Sequence, residues 1–183
     1  MSKDPKNHLS WLEQLQPANE PDLQFAQWLR MLCHLKDYGV LMTSGEGVLP
    51  LVPWLLDGIT MNSKLIVHVE EQNRSAEPLL KQQADLDIRF AYHFQPADEF
   101  IKDIDVHRLD MLLISEDQIE FLPQWLKLMT DSGLVVVLAS EDKMEELLNS
   151  YSERYFINIS NAGEALFLTA KGIQHTNKRR RGG

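Results

Sequence analysis

Tyr38-Gly-Val-Leu-Met-Thr-Ser-Gly-Glu-Gly-Val48 is the point at which this 183-residue chain changes period. Upstream of it, apolar residues recur at helical spacing. Here Val40, Leu41 and Met42 run together and stop at Gly-Glu-Gly, the pattern of a short buried strand feeding a tight loop. Glycines let a backbone take positive φ or approach another group closely. The loop is therefore read either as a structural turn or as a cradle for a ligand.

Similar runs return downstream. Gly39–Thr43, Lys64–Glu70, Ile88–Phe94, Met111–Ser115 and Leu134–Ala139 read as strands, and Leu134-Val-Val-Val-Leu138 is apolar without a break. Unbroken apolar runs suit strands covered by helices on both faces. The segments between them, roughly 49–59, 75–84, 97–104 and 121–131, have the length of crossover helices. This alternation predicts a doubly wound, mostly parallel α/β sheet. Arg154–Ser160 and Ala165–Lys171, joined by Asn161-Ala-Gly-Glu164, predict a C-terminal antiparallel hairpin and bring the sheet to seven strands.

Prolines and caps set the expected helix starts. An interior proline costs about 3 kcal/mol, so Pro50 and Pro53 place a start near Leu49. Pro78 fits a first turn if Ser75 is the N-cap, and Ser140 followed by Glu141 and Asp142 reads as another cap. Ahead of the first strand, Phe25, Trp28, Leu29, Leu32, Cys33 and Leu35 make an amphipathic helix over about 22–36. Cys33 lies on its apolar stripe and is expected to be a buried hydrophobe. Leu9, Trp11, Leu12 and Leu15 mark a shorter helix before Pro17 and Pro21. Residues 1–20 are thus an N-terminal helix and linker, 21–172 one domain and 173–183 a disordered basic tail.

Composition narrows the class. Hydrophobic residues at 44% and charged residues at 25% exclude a wholly disordered or fibrous chain. No apolar run is long enough to span a membrane and no signal core stands at the start, so a cytoplasmic protein is expected. A lone cysteine can form no internal disulfide. There are 18 basic and 27 acidic residues. Without the four cations Lys178, Arg179, Arg180 and Arg181 the balance is 14 against 27, a net −13. Such a body repels phosphate backbones, which leaves nucleic-acid binding to the tail alone.

From about Pro21 to Lys171 the chain resembles the class I S-adenosylmethionine-dependent methyltransferases, and among them the small O-methyltransferases of the catechol O-methyltransferase type. The family's loop after its first strand reads acidic-x-Gly-x-Gly-x-Gly. The matching positions here are Leu41, Thr43, Gly45 and Gly47, so two glycines remain while the acidic residue and the first glycine are replaced. Glu70, closing Val67-His-Val-Glu70, is similar to the family's ribose-hydroxyl acceptor, with Glu71 as the alternative register. Gln95-Pro-Ala97 stands where the family often shows Gly-Asp-Ala. Asp110-Met-Leu-Leu-Ile-Ser-Glu-Asp-Gln118 resembles the family's fourth strand, with Asp110 matching its opening aspartate.

The resemblance implies S-adenosylmethionine as cofactor and Thr43, Ser44, Gly45, Gly47, Glu70, Ala97 and Ser115 as the residues around it. The departures from the family's pattern argue against a metal. Ser115 replaces the family's metal-binding aspartate, Ser140 falls where metal-dependent members carry an Asp-Asn pair, and Gln118 replaces the usual lysine base. His68 is expected to be a packed or surface histidine, and His93 and Glu116 are weak candidates for a base. Two readings follow: a metal-independent methyltransferase acting on a small-molecule acceptor, or an inactive methyltransferase fold serving a protein partner as a scaffold. The departures at Leu41, Thr43, Pro96 and Ser115 favour the second. A homodimer is left open. A nicotinamide-binding domain is the weakest reading, because the glycine spacing is not Gly-x-Gly-x-x-Gly.

Overall fold

The computed structural model describes Pro5 and residues 8–15, 22–37, 39–104, 108–159 and 165–170. The linker before Pro21, the hairpin turn at 161–164 and the basic tail lie outside these described residues.

Among the described residues, seven strands form one sheet in the order β3-β2-β1-β4-β5-β7-β6. They are β1 (Val40–Ser44), β2 (Lys64–Val69), β3 (Phe90–Phe94), β4 (Leu109–Ser115), β5 (Met129–Leu138), β6 (Tyr155–Ile159) and β7 (Ala165–Ala170). The first five run parallel, and β7 is antiparallel to both β5 and β6. The doubly wound sheet and the terminal hairpin read from the sequence are both present.

Why the central strands are largely apolar is visible in their register. Leu41, Leu65, Val67, Met111, Leu113 and Val136 face one core, with Trp11, Leu29, Trp54 and Leu55 packed there. Met42, Ile66, Leu112, Ile114, Val135 and Val137 face the other, with Phe100, Trp125, Met144 and Leu147. Alternate residues of β1, β2, β4 and β5 are buried on opposite faces, whereas β3 leaves Ala91 and His93 exposed.

Helices α1 (His8–Leu15), α2 (Leu23–His34), α3 (Val52–Gly58), α4 (Glu77–Leu86), α5 (Ala97–Asp103), α6 (Leu122–Trp125) and α7 (Glu141–Tyr151) supply those two layers. Asp22 caps α2, its Oδ1 accepting from the Phe25 amide at 2.9 Å. Ala26, Leu29 and Cys33 make the buried stripe. Cys33 is fully buried, and burial pushes its thiol up to about 12. A thiol reagent at pH 8 is expected to leave native protein unlabelled and to label one thiol after denaturation. Labelling of native protein at the unfolded rate would contradict this packing.

Several boundaries differ from the sequence expectation. The two prolines divide the turn they share: Pro50 sits in a 3-10 turn, Leu49–Leu51, and Pro53 in the first turn of α3. Each thus loses no intrahelical hydrogen bond. Ser75 is not a cap, because a 3-10 turn over Glu71–Ala76 carries the chain into α4, whose N-cap is Ala76. Ser140 does precede α7, but its side chain makes no cap bond. Instead its amide donates to Glu116 Oε2 at 2.7 Å. The helix expected over 121–131 shrinks to α6, since β5 begins at Met129, paired with Leu109. Among the described residues no helix is long and apolar enough to cross a membrane.

Candidate functional site

The carboxyl ends of β1, β2, β4 and β5 surround a cavity of about 700 Å³. In the strand order, β1 and β4 are the neighbours at which the winding reverses, the place where open α/β sheets bind ligands. Glu46 and Gly47 after β1, Glu70 and Gln72 after β2, Ser115–Gln118 after β4, Glu120, Phe121 and Leu138 line it. Five of these residues are carboxylates and none is Lys, Arg or His.

The loop after β1 is shaped by Gly45, the one glycine among the described residues with positive φ, at 102°. Its amide donates to the His68 carbonyl at 3.3 Å. Ser115 and Asp117 pack where a Gly45 side chain would project, and Ser115 also crowds Gly47. The Ser115 hydroxyl donates to Asp117 Oδ1 at 2.5 Å. β4 therefore ends against the glycine loop, and this contact forms one wall of the cavity.

Beneath the cavity lies a buried polar network. Gln118, 1% exposed, donates from Nε2 to Glu70 Oε1 at 3.3 Å and to Asp117 Oδ2 at 3.2 Å. Its Oε1 accepts from the Ser44 hydroxyl at 3.0 Å. Ser44 Oγ is also 2.8 Å from His68 Nδ1, and His68 Nε2–H donates to the Gln95 carbonyl at 2.9 Å. Glu70 Oε1 further accepts from the Ala97 amide at 3.2 Å, tying the end of β2 to the start of α5. The His68 ring is fully buried and stacked on Phe100 at 4.7 Å and 13°.

These surroundings tune the ionisable groups. Burial pushes the Glu46 carboxyl up, and the nearby Asp117 charge adds to the rise. The Ser140 amide holds Glu116 below the usual carboxylate range. Burial lowers His68, opposed by the Gln95 carbonyl and by the Glu70 and Asp117 charges. His93 is also lowered by burial.

Of the residues expected around the cofactor, Gly47, Glu70 and Ser115 line the cavity, and Gly45 supports its wall. Thr43 and Ser44 do not reach it. Both are fully buried: Ser44 belongs to the network, and the Thr43 hydroxyl lies on the apolar face of β1 without a partner among the described residues. Ala97 contributes its amide to Glu70 rather than a wall. Glu70 lines the cavity, whereas Glu71 is not among its lining residues and pairs with Arg74 at 3.0 Å. Asp110 is structural, accepting from the Val40 amide at 3.0 Å. Neither proposed base is well placed. His93 lies outside the cavity lining, and Glu116 lines it with its carboxylate engaged by Ser140.

Sequence reading missed Gln118 as a hub, together with Glu46 and Asp117. The available signal was polar residues, Ser44 and His68, inside otherwise apolar strands.

Neither a protein-family model nor a curated protein sequence matches the chain. Solved structures do. A methyltransferase from Geobacter sulfurreducens is 16% identical over 93% of both chains, with a TM-score of 0.70. An O-methyltransferase from Bacillus cereus, solved with S-adenosylhomocysteine, is 13% identical over 93% of both chains, also at 0.70. The tomaymycin-synthesis O-methyltransferase of Streptomyces achromogenes, solved with S-adenosylmethionine, is 15% identical over 93% of this chain and 91% of that one, at 0.67. At such identities the likeness is one of fold. The chain has the class I S-adenosylmethionine-dependent methyltransferase fold, in the form taken by small O-methyltransferases.

Proposed function

We propose that this chain binds S-adenosylmethionine in the acidic cavity and transfers its methyl group, without a metal, to a small-molecule acceptor. The observation that carries the reading is Glu70, a half-buried carboxylate at the end of β2 on the wall of a cavity at the sheet's switch point. Neighbours of the same fold were solved with this cofactor or its demethylated product.

The residues present suit the ligand. Glu70 can accept from ribose hydroxyls. The carboxylates favour the cationic sulfonium and ammonium groups, and the loop at Gly45–Gly47 keeps backbone close to the cavity. When bound, the cofactor supplies an electrophilic methyl carbon. The protein's part is then to hold the acceptor in line and exclude water, which can supply much of the rate. Glu46, raised by burial and by Asp117, is the lining carboxylate best matched to take the acceptor's proton. Residues 21–172 are taken as the working unit.

A second reading, an inactive fold that binds a protein partner, is favoured by one feature. Glu70 Oε1 is already shared between Ala97 and Gln118.

Thermal melting with and without S-adenosylmethionine and S-adenosylhomocysteine separates the two. Ligand at a hundredfold its Kd adds about 2.7 kcal/mol, a rise of roughly 5–11 °C for a domain this size. Glu70→Gln keeps an acceptor for the Ala97 amide while removing the charge, and it is expected to abolish most of the rise. No shift at millimolar ligand would defeat the cofactor reading and leave the scaffold reading standing.

A further inference from the structure

The network under the cavity has one proton too few when His68 is neutral. Gln95 offers His68 Nε2 a carbonyl, which only accepts, so that nitrogen must carry a proton. The Gln118 amide is fixed by its neighbours. Reversed, its oxygen would face the Glu70 and Asp117 carboxylates at 3.3 and 3.2 Å. Gln118 Oε1 therefore points at Ser44 Oγ, 3.0 Å away, and requires the hydroxyl proton. Ser44 has no second proton to give. His68 Nδ1, 2.8 Å from the same oxygen, completes the chain only by donating.

With both ring nitrogens protonated every contact is a donor–acceptor pair. With the ring neutral, Ser44 must turn its proton to Nδ1, and Gln118 Oε1 then faces a lone pair.

We infer that His68, Ser44 and Gln118 form a proton-linked positioning device. The doubly protonated ring clamps the Gln118 amide against the Glu70 and Asp117 carboxylates, and the neutral ring withdraws the hydroxyl proton that holds it. The groups facing His68 set the sign of the device. Glu70 on β2 and Asp117 after β4 favour the cation, while His93 on β3 opposes it when charged. Phe100 on α5 and Trp125 on α6 contribute aromatic faces and no charge. Burial places the transition on the acid side of histidine's ordinary value. A cationic ligand in the cavity competes with the imidazolium for the same carboxylates, so its affinity rises with pH across that transition. This last consequence alone rests on the cofactor reading above.

The experiment is a ring-nitrogen NMR titration of the full chain from pH 5 to 8, in the wild type and in two variants. The wild-type His68 ring is expected to have both nitrogens protonated at the acid end. Ser44→Ala removes the acceptor for Nδ1–H and should lower the ring's proton affinity roughly tenfold, the scale of one charge-assisted hydrogen bond. Gln118→Leu frees the Ser44 proton for Nδ1 and should lower it as well. A Ser44 that merely donates to a neutral ring predicts the opposite sign, because losing that donor favours protonation. A midpoint unchanged or raised in both variants overturns the inference.

S-adenosylmethionine melting shifts on the same samples keep the two ideas apart. Normal ring titrations without any ligand shift would sink only the cofactor reading. A ligand shift equal at pH 5.5 and 7.5 would remove the link between the ring and the cavity.

Discussion

Truncating Trp125 to alanine is expected to lower folding stability by about 3–5 kcal/mol, a large share of the ~5–15 kcal/mol typical of a domain. Trp125 is fully buried yet comes from α6, a helix of four residues flanked by 3-10 turns. So short a helix cannot sustain itself, and the indole is its main anchor. The ring sits 6.0 Å from both Phe100 and His68, tilted by 56° and 58°. Its removal would open a cavity beneath α5 and α6 together. Trp125→Phe should cost much less, because the indole N–H has no partner among the described residues. Deleting a buried unsatisfied donor recovers about 1–3 kcal/mol, which offsets part of the lost volume. Urea unfolding midpoints at constant m-value would measure both. Equal losses in the two variants would mean that the indole N–H rather than ring volume carries the energy, and hence that the N–H is satisfied.

The layers of the fold were legible because hydrophobic burial is written locally. Runs such as Leu134–Leu138 have nowhere to face but two apolar layers, and the β5 register bears this out, with Val135 and Val137 in one core and Val136 in the other. Glu70 was legible for a related reason, since a carboxylate closing an apolar strand must emerge at its end. Boundaries set by distant partners were not. Met129 joins β5 because Leu109 stands beside it, and Ser140, the N-cap residue of α7, makes no side-chain cap bond while its amide is held by Glu116, 24 residues earlier. The site itself was half readable. Ser44, His68, Gln95 and Gln118 come from four separate segments, and nothing local in any of them specifies a shared proton. Thr43 is the clearest local cost: a hydroxyl buried without a partner among the described residues, where a small apolar residue would need none.

Gly45→Ala is expected to destabilise the protein by about 2–4 kcal/mol and to abolish any cofactor-induced shift. Two separate costs add. A side chain at φ 102° carries a left-handed backbone penalty of ~1–2 kcal/mol. The new methyl would also run into the Ser115 hydroxyl, with the Asp117 carboxylate oxygens at 2.8 and 2.9 Å. Displacing Ser115 breaks its hydrogen bond to Asp117, worth about 1–2 kcal/mol, and Asp117 is one of the two carboxylates that Gln118 holds. The damage therefore spreads from a loop to the wall of the cavity. A double-mutant cycle with Ser115→Gly divides the two costs, since it makes room for the methyl without easing φ. The cost of Gly45→Ala measured in the Ser115→Gly background should fall by the steric part alone, leaving the backbone penalty. Loss of the whole cost would show that contact with β4, rather than the left-handed turn, is what demands glycine there. An unchanged cost would place the whole requirement in the backbone, and the packing of Ser115 against the loop would then carry little energy.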